Sequence, residues 1–309
     1  LISSMYEKAT IENVVVTNGG AEANLVSTWM LTEPGDEAVI MLPNYMQIWG
    51  LARGYGAEVK PFHLLEKLNW APDIEELERA ISKKTKFIAV CNPNNPTGAV
   101  LSESEMDRIV ECARRAGNGG AWLIADEIYR GAERIGGPTP SFWGRYHRLI
   151  ITSGLSKAYG LPGLRIGWIV SSPEMVAKAW SYRDYTTICP SATSDLLARV
   201  ALRPDTRERL LARTRQIIQT NFPVLDRWVG HHDAMMTMVP PRAGAIAYIK
   251  YQYDIDSLDL IVALRDKKSL LAVPGAHFDM GRYMRIGFGA NLDQLKEGLS
   301  LIDNYLSEL

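Results

Sequence analysis

Short apolar runs, several of them β-branched, recur along the first part of the chain, at 14–17, 38–42, 58–61, 86–91, 121–125, 149–152 and 165–171. Most are apolar at successive rather than alternate positions, which is the pattern of strands covered on both faces. Polar stretches with helical periodicity fill the gaps. In 102–116, Met106, Ile109, Val110 and Ala113 fall at helical spacing, and Ser102 with Glu105 forms a capping box at the start. This alternation predicts an α/β fold built on a doubly wound, mostly parallel sheet. After Pro204 the pattern changes. A long charged helix is expected over 205–228, then strands at 236–239, 245–250, 270–273 and 283–288, with helices at 257–267 and 291–306. The predicted division is a large domain over 1–203 and a smaller C-terminal α+β domain over 204–309.

Composition narrows the partners. With 34 Lys+Arg against 35 Asp+Glu the net charge is −1, so no polyanion is implied and nucleic acid is not an expected partner. Cys91, Cys112 and Cys189 are odd in number and widely spaced, which suits free thiols in a reducing compartment. A cytoplasmic location is expected, with neither a disulfide framework nor a metal site. No apolar run reaches the length of about 18 residues that a membrane span needs, and the first residues lack the shape of a signal peptide.

The most informative residue is Lys157, in Ser153-Gly154-Leu155-Ser156-Lys157-Ala158-Tyr159-Gly160. A lysine attacks an aldehyde only when deprotonated, so it needs a partly desolvated site or a cationic neighbour. Arg165 can be that neighbour. Its planar fork also suits a phosphate, which the small residues around Lys157 let the backbone and the Ser156 hydroxyl approach. The combination points to a phosphorylated aldehyde, pyridoxal phosphate. A lone lysine in such a loop is ordinarily a surface residue, so the reading rests on partners elsewhere.

Two partners are legible upstream. Asp126 closes the apolar run 121–125, at the strand end where open α/β sheets bind ligands. A carboxylate facing a pyridine nitrogen keeps the ring protonated, and Tyr129, three residues on, can reach the ring's phenolic oxygen. The string Cys91-Asn92-Pro93-Asn94-Asn95-Pro96-Thr97-Gly98 follows another strand, and its prolines stiffen the loop that aims Asn95 at the same oxygen.

These motifs, in this order, resemble the fold-type I pyridoxal-phosphate enzymes, specifically the class I/II aminotransferases related to aspartate aminotransferase. The resemblance extends from Val14 to about Leu306. It implies that Lys157 carries the cofactor as a Schiff base, that Asp126 pairs with the ring nitrogen, and that Tyr129 and Asn95 hold the phenolic oxygen. Ser156 and Arg165 would bind the phosphate. Relatives often carry a second serine where this chain has Gly154, and Ser153 is the expected replacement. Gly20 and Ala21, opening a helix after the strand 14–16, can offer backbone amides to the phosphate. Tyr45, two residues after Pro43, matches the aromatic that stacks on the ring. Arg285 is a lone cation in a strand-like run, and its fork suits an α-carboxylate, the role of the matching arginine in the family.

The implied activity is transfer of an amino group between an α-amino acid and a 2-keto acid. A carbon-sulfur lyase, synthase or decarboxylase of the same fold is the alternative. Retention of Lys157, Asp126 and Arg285 argues against a non-catalytic regulator. The resemblance also implies a homodimer, with the aromatic, mixed-charge stretch 181–194 near the second subunit. Family members usually carry a further N-terminal segment of several tens of residues that supplies substrate and dimer contacts, whereas Leu1 lies only a short way upstream of the phosphate loop. The chain is therefore expected to be a fragment or to lack that segment.

Overall fold

The computed structural model describes residues 1–308. Strands β1 (Val14–Thr17), β2 (Glu37–Leu42), β3 (Glu58–Leu65), β4 (Ala71–Pro72), β5 (Thr85–Cys91), β6 (Trp122–Asp126), β7 (Leu149–Gly154) and β8 (Gly167–Val170) form one sheet in the order β1-β8-β7-β6-β5-β2-β3-β4. The central neighbours β3, β2, β5, β6 and β7 are parallel, while β8, β1 and β4 run antiparallel to theirs.

Alternate residues of these strands enter opposite layers. Ala38, Ile40 and Leu42 pack with Val26 and Met30 of α1 (Gly20–Leu31). Val39 and Met41 join the other layer, with Met106, Ile109 and Ala113 of α4 (Glu103–Arg115). Helices α2 (Gln47–Gly54), α3 (Ile74–Ala80), α5 (Pro173–Arg183) and α6 (Ala192–Ala201) complete this part. Covering both faces explains why the strands read as unbroken apolar runs. The capping box at Ser102 and Glu105 forms, each residue satisfying a backbone N–H of the other.

From α7 (Pro204–His231) onward, β9 (Met236–Met238), β10 (Ile246–Tyr251), β11 (Val273–Pro274) and β12 (Tyr283–Gly287) make a four-stranded antiparallel sheet ordered β11-β12-β10-β9. Helices α8 (Ser257–Lys268) and α9 (Leu292–Leu306) accompany it. Contacts tie the two sheets together. The Tyr283 hydroxyl donates to Glu66 at 2.6 Å, and Glu133 bridges to Ala243.

Three strands differ from expectation by more than two residues in all: the strand expected at 58–61 runs on to Leu65, and two others are shortened. The strand expected at 165–171 begins only at Gly167, because Arg165 takes a left-handed conformation, φ 51°, ending a 3-10 turn over Pro162–Leu164. The strand expected at 270–273 shrinks to Val273–Pro274. Ser269, φ 53°, terminates α8, and the Leu270 amide folds back onto the Leu264 carbonyl, so 270–272 act as a turn. Among the described residues no helix is long and apolar enough to cross a membrane.

Candidate active site

Strand register assembles the site. Cys91, Asp126 and Thr152 stand side by side across β5, β6 and β7, at or near the carboxyl ends of those parallel strands. Gly154, Gly167 and Thr17 form the next row across β7, β8 and β1. The loops that leave these positions enclose a cavity of about 280 Å³. Gly20, Ala21, Tyr45, Asn95, Asp126, Tyr129, Ser156, Lys157, Arg165 and Arg285 all line it. Of the site residues singled out from the sequence, all but Ser153 therefore line one space.

One end of the cavity is an anion cradle. α1 starts at Gly20, with Gly19 at φ 85° before it, so the first-turn amides and the positive end of the helix face the cavity. A Cβ at Gly19 would collide with the Arg165 guanidinium, which also holds the Ser156 hydroxyl at 3.3 Å. Gly167 sits against the Gly19-Gly20 peptide with no room for a side chain. Gly154 is similarly confined, since a Cβ there would lie 2.8 Å from the Ile166 carbonyl. A side chain at position 154 would therefore require the Ile166–Gly167 backbone to move. Ser153 does not replace the second serine of relatives: its buried hydroxyl points to the Glu127 carbonyl at 3.3 Å, outside the cavity lining.

Asp126, Lys157, Tyr129 and Arg285 line the same cavity. Asp126 is buried, which raises its carboxyl pKa, while bonds from Asn24 and the Ile128 amide, with the Lys157 charge, oppose that rise. Lys157 is lowered below an ordinary lysine, first by burial and then by the charges of Arg285 and Arg165. Tyr129 is buried and its hydroxyl is held protonated by that burial. Arg285 donates from Nη1 to Oδ1 of Asn95 at 2.8 Å. Burial lowers its guanidinium below the ordinary arginine value, and among the described residues no carboxylate pairs with it. Tyr45 is half exposed at the mouth.

Sequence reasoning missed four participants. Asn24, Gln47 and Cys91 also line the cavity. Glu22, buried in the first turn of α1, accepts from the Asn18 amide at 2.5 Å and from both hydroxyls of Thr186 and Thr187, staking the turn before α1 to the segment after α5. The available signal was the run of polar residues, Glu22, Asn24, Ser27 and Thr28, on a helix otherwise made for burial.

The sequence pattern of the family "Aminotransferase class I and II" matches residues 3–302. The chain belongs to this family. Its sequence is 30% identical over 293 residues to a capreomycidine synthase of Streptomyces vinaceus, spanning 95% of this chain and 74% of that protein. It is 25% identical over 313 residues to an aspartate aminotransferase of Thermotoga maritima, spanning 99% and 79%. A solved pyridoxal-phosphate-dependent aminotransferase from Streptococcus suis matches with a TM-score of 0.92 at 33% identity, over 99% of this chain and 80% of that one. As a class I and II aminotransferase the chain is a pyridoxal-phosphate-dependent enzyme of fold type I. The cavity fits that cofactor. A guanidinium and a helix N-terminus meet where glycine leaves space, and a buried carboxylate, a lysine of lowered pKa, Asn95 and Tyr129 line the same cavity.

Proposed function

We propose that this chain transfers an amino group between an α-amino acid and a 2-keto acid, and that Lys157 carries the α-proton. The observation that carries this reading is the convergence of Lys157, Asp126 and Arg285 on one cavity, with the lysine depressed by its surroundings. When bound, the cofactor supplies an aldehyde that captures amines and a ring that accepts electron density from Cα. Gly20, Ala21, Ser156 and Arg165 would hold its phosphate, and Tyr45 would cover its ring. Asn95 and Tyr129 would donate to its phenolic oxygen, while the Asp126 carboxylate would hold the proton on its ring nitrogen.

Substrate binding then falls to Arg285, whose two-pronged fork grips the α-carboxylate and fixes which bond at Cα faces Lys157. Lys157 Nζ, whose pKa is lowered by partial desolvation and by the neighbouring cations Arg285 and Arg165, takes the α-proton and returns it to the other side of the transferred nitrogen. The Asp126 carboxylate would remain the counter-charge to the protonated ring nitrogen throughout.

A synthase, lyase or decarboxylase is the second reading, favoured by one observation: the relative at 30% identity is named a synthase. The two separate on a simple assay. A purified holoenzyme given an amino acid alone should convert its cofactor to the aminated form and regain the starting absorbance on addition of a 2-keto acid. Steady release of ammonia or a thiol without any keto acid would reverse the choice.

We also infer a large domain over 1–203 and a small one over 204–309, supported by the placement of the eight-stranded sheet before α7 and the four-stranded sheet after it. A homodimer is supported by exposed apolar side chains around α5 and α6, including Trp180, Tyr185, Ile188 and Leu196. A cytoplasmic location is supported by three free cysteines.

A further inference from the structure

We propose that Asn24, locked by Thr152, is the positioning residue that aims the Asp126 carboxylate and keeps it a proton-accepting partner for the cofactor ring. The inference rests on the placement of the ring nitrogen against Asp126 and extends it to two residues that hold the carboxylate, Asn24 in the cavity wall and Thr152 behind it.

The geometry is a short relay between three elements. Asn24 lies one turn into α1, buried at 3% exposure, and donates from Nδ2 to Asp126 Oδ2 at 3.0 Å. Thr152, on β7 and fully buried, donates its hydroxyl to Asn24 Oδ1 at 2.6 Å. The amide orientation is thereby fixed. A flipped Asn24 would set its oxygen against a carboxylate oxygen, two acceptors face to face, and leave the Thr152 hydroxyl to find another partner. Gln47 steadies the arrangement from α2, with its Oε1 3.4 Å from the Asn24 amide nitrogen and its own Nε2 donating to the Ala21 carbonyl at 2.8 Å.

What the relay does follows from burial. A carboxylate removed from water favours its neutral form unless donors replace the lost hydration. Two donors do so here, the Ile128 amide on Oδ1 at 3.0 Å and Asn24 on Oδ2. The Ile128 bond is local, two residues along the chain, and holds one oxygen only. Asn24 alone fixes the second oxygen from a different element, so it sets the carboxylate plane. The other titratable groups close by are Lys157, which favours the charged form, and Cys91, Glu127 and Tyr129, whose own pKa values the Asp126 charge raises. Without Asn24 the balance among them shifts toward a neutral Asp126. The proton shared with the ring nitrogen then moves onto the carboxyl, and the ring draws electrons less strongly.

The test uses the holoenzyme carrying cofactor labelled with ¹⁵N in its ring. Asn24→Leu fills the space without a donor, and Thr152→Val removes only the lock. The ring-nitrogen signal should move toward its unprotonated position in Asn24→Leu and part-way in Thr152→Val. kcat should fall about ten- to hundredfold in the first, the range that loss of one hydrogen bond to a charged group allows, with KM changing less than about threefold. Ser27→Ala lies on the same helix, where the buried Ser27 hydroxyl has no partner, and should read as wild type. Wild-type ring signals in both relay variants would overturn the proposal, as would an equal shift in Ser27→Ala. If Asn24→Leu does not fold, Thr152→Val decides alone. Asp126→Asn separates the two levels: if it leaves the ring signal unmoved, the placement of the ring against Asp126 is what fails.

Discussion

The Arg285 guanidinium donates to the Asn95 side-chain oxygen at 2.8 Å, joining positions 190 residues apart in the chain. The bond fixes the Asn95 amide so that its nitrogen stays a donor, and it holds the arginine fork at the cavity without a carboxylate partner. Arg285→Lys keeps the charge but loses both the fork and this hold. KM for α-amino acids should rise about ten- to hundredfold, while amines lacking a carboxylate react as before. Steady-state kinetics with matched amino acid and amine pairs read this directly. Equal losses on both would show that the arginine supports the fold instead.

Lys157→Ala should abolish covalent retention of the cofactor and all turnover while leaving the fold. The side chain opens into the cavity, so its removal should change stability by about 1 kcal/mol or less. Borohydride treatment of the wild-type holoenzyme followed by peptide mapping should place the cofactor on Lys157. Its recovery on any other lysine would refute the assignment.

The depressed lysine has a signed pH consequence in the apoenzyme. A base whose folded pKa lies below its unfolded value binds fewer protons in the fold. The stability penalty is therefore fully present below the folded value and is relieved as pH rises toward the ordinary lysine range. Reactivity moves the same way, since the neutral amine becomes available at lower pH than in a free lysine. Arg285 is the leading cation behind this shift after burial itself. Arg285→Gln should move the pH midpoint for capture of pyridoxal phosphate by the apoenzyme upward, and an unchanged midpoint would dismiss the electrostatic cause.

Gly167→Ala should destabilise the protein by about 2 to 4 kcal/mol, because the new methyl group meets the Gly19-Gly20 peptide, whose backbone cannot yield without moving the start of α1. Gly163→Ala, where a Cβ meets nothing within 4 Å, serves as the control and should be nearly neutral. Urea midpoints compare the two.

Tyr185→Asp should convert a homodimer to a monomer, since Tyr185 is 81% exposed among other apolar side chains and a buried charge there has no partner. Light scattering at assay concentration gives the mass. A wild-type protein that is already monomeric and fully active would remove the shared-interface reading.

The parts of the site that were legible in the sequence are those whose chemistry is written in a short string. Asn95 sits between prolines, Lys157 among small residues, and Asp126 at the end of an apolar run, so local physics predicts their environments. Asn24 and Glu22 were not legible because their meaning lies in what β7 and the 186–187 segment bring opposite them. The alternating apolar runs predicted the large sheet, and both-face burial confirmed the reason. The missed boundaries at Arg165 and Ser269 share one cause: each adopts a left-handed backbone that composition gives no sign of.

Glu22 gives the cofactor cradle an outward reach. Its carboxylate is tied on one side to the Asn18 amide in the turn before α1 and on the other to Thr186 and Thr187, whose neighbours Tyr185 and Ile188 are bare to solvent. A strut of this kind transmits in both directions. If a second copy settles on those bare side chains, it steadies the turn before α1, and, with that turn holding the cofactor phosphate as proposed, the bound phosphate must steady the second copy by the same factor. Retention of the cofactor then depends on protein concentration, so an enzyme that is saturated in a concentrated stock sheds its yellow colour on dilution.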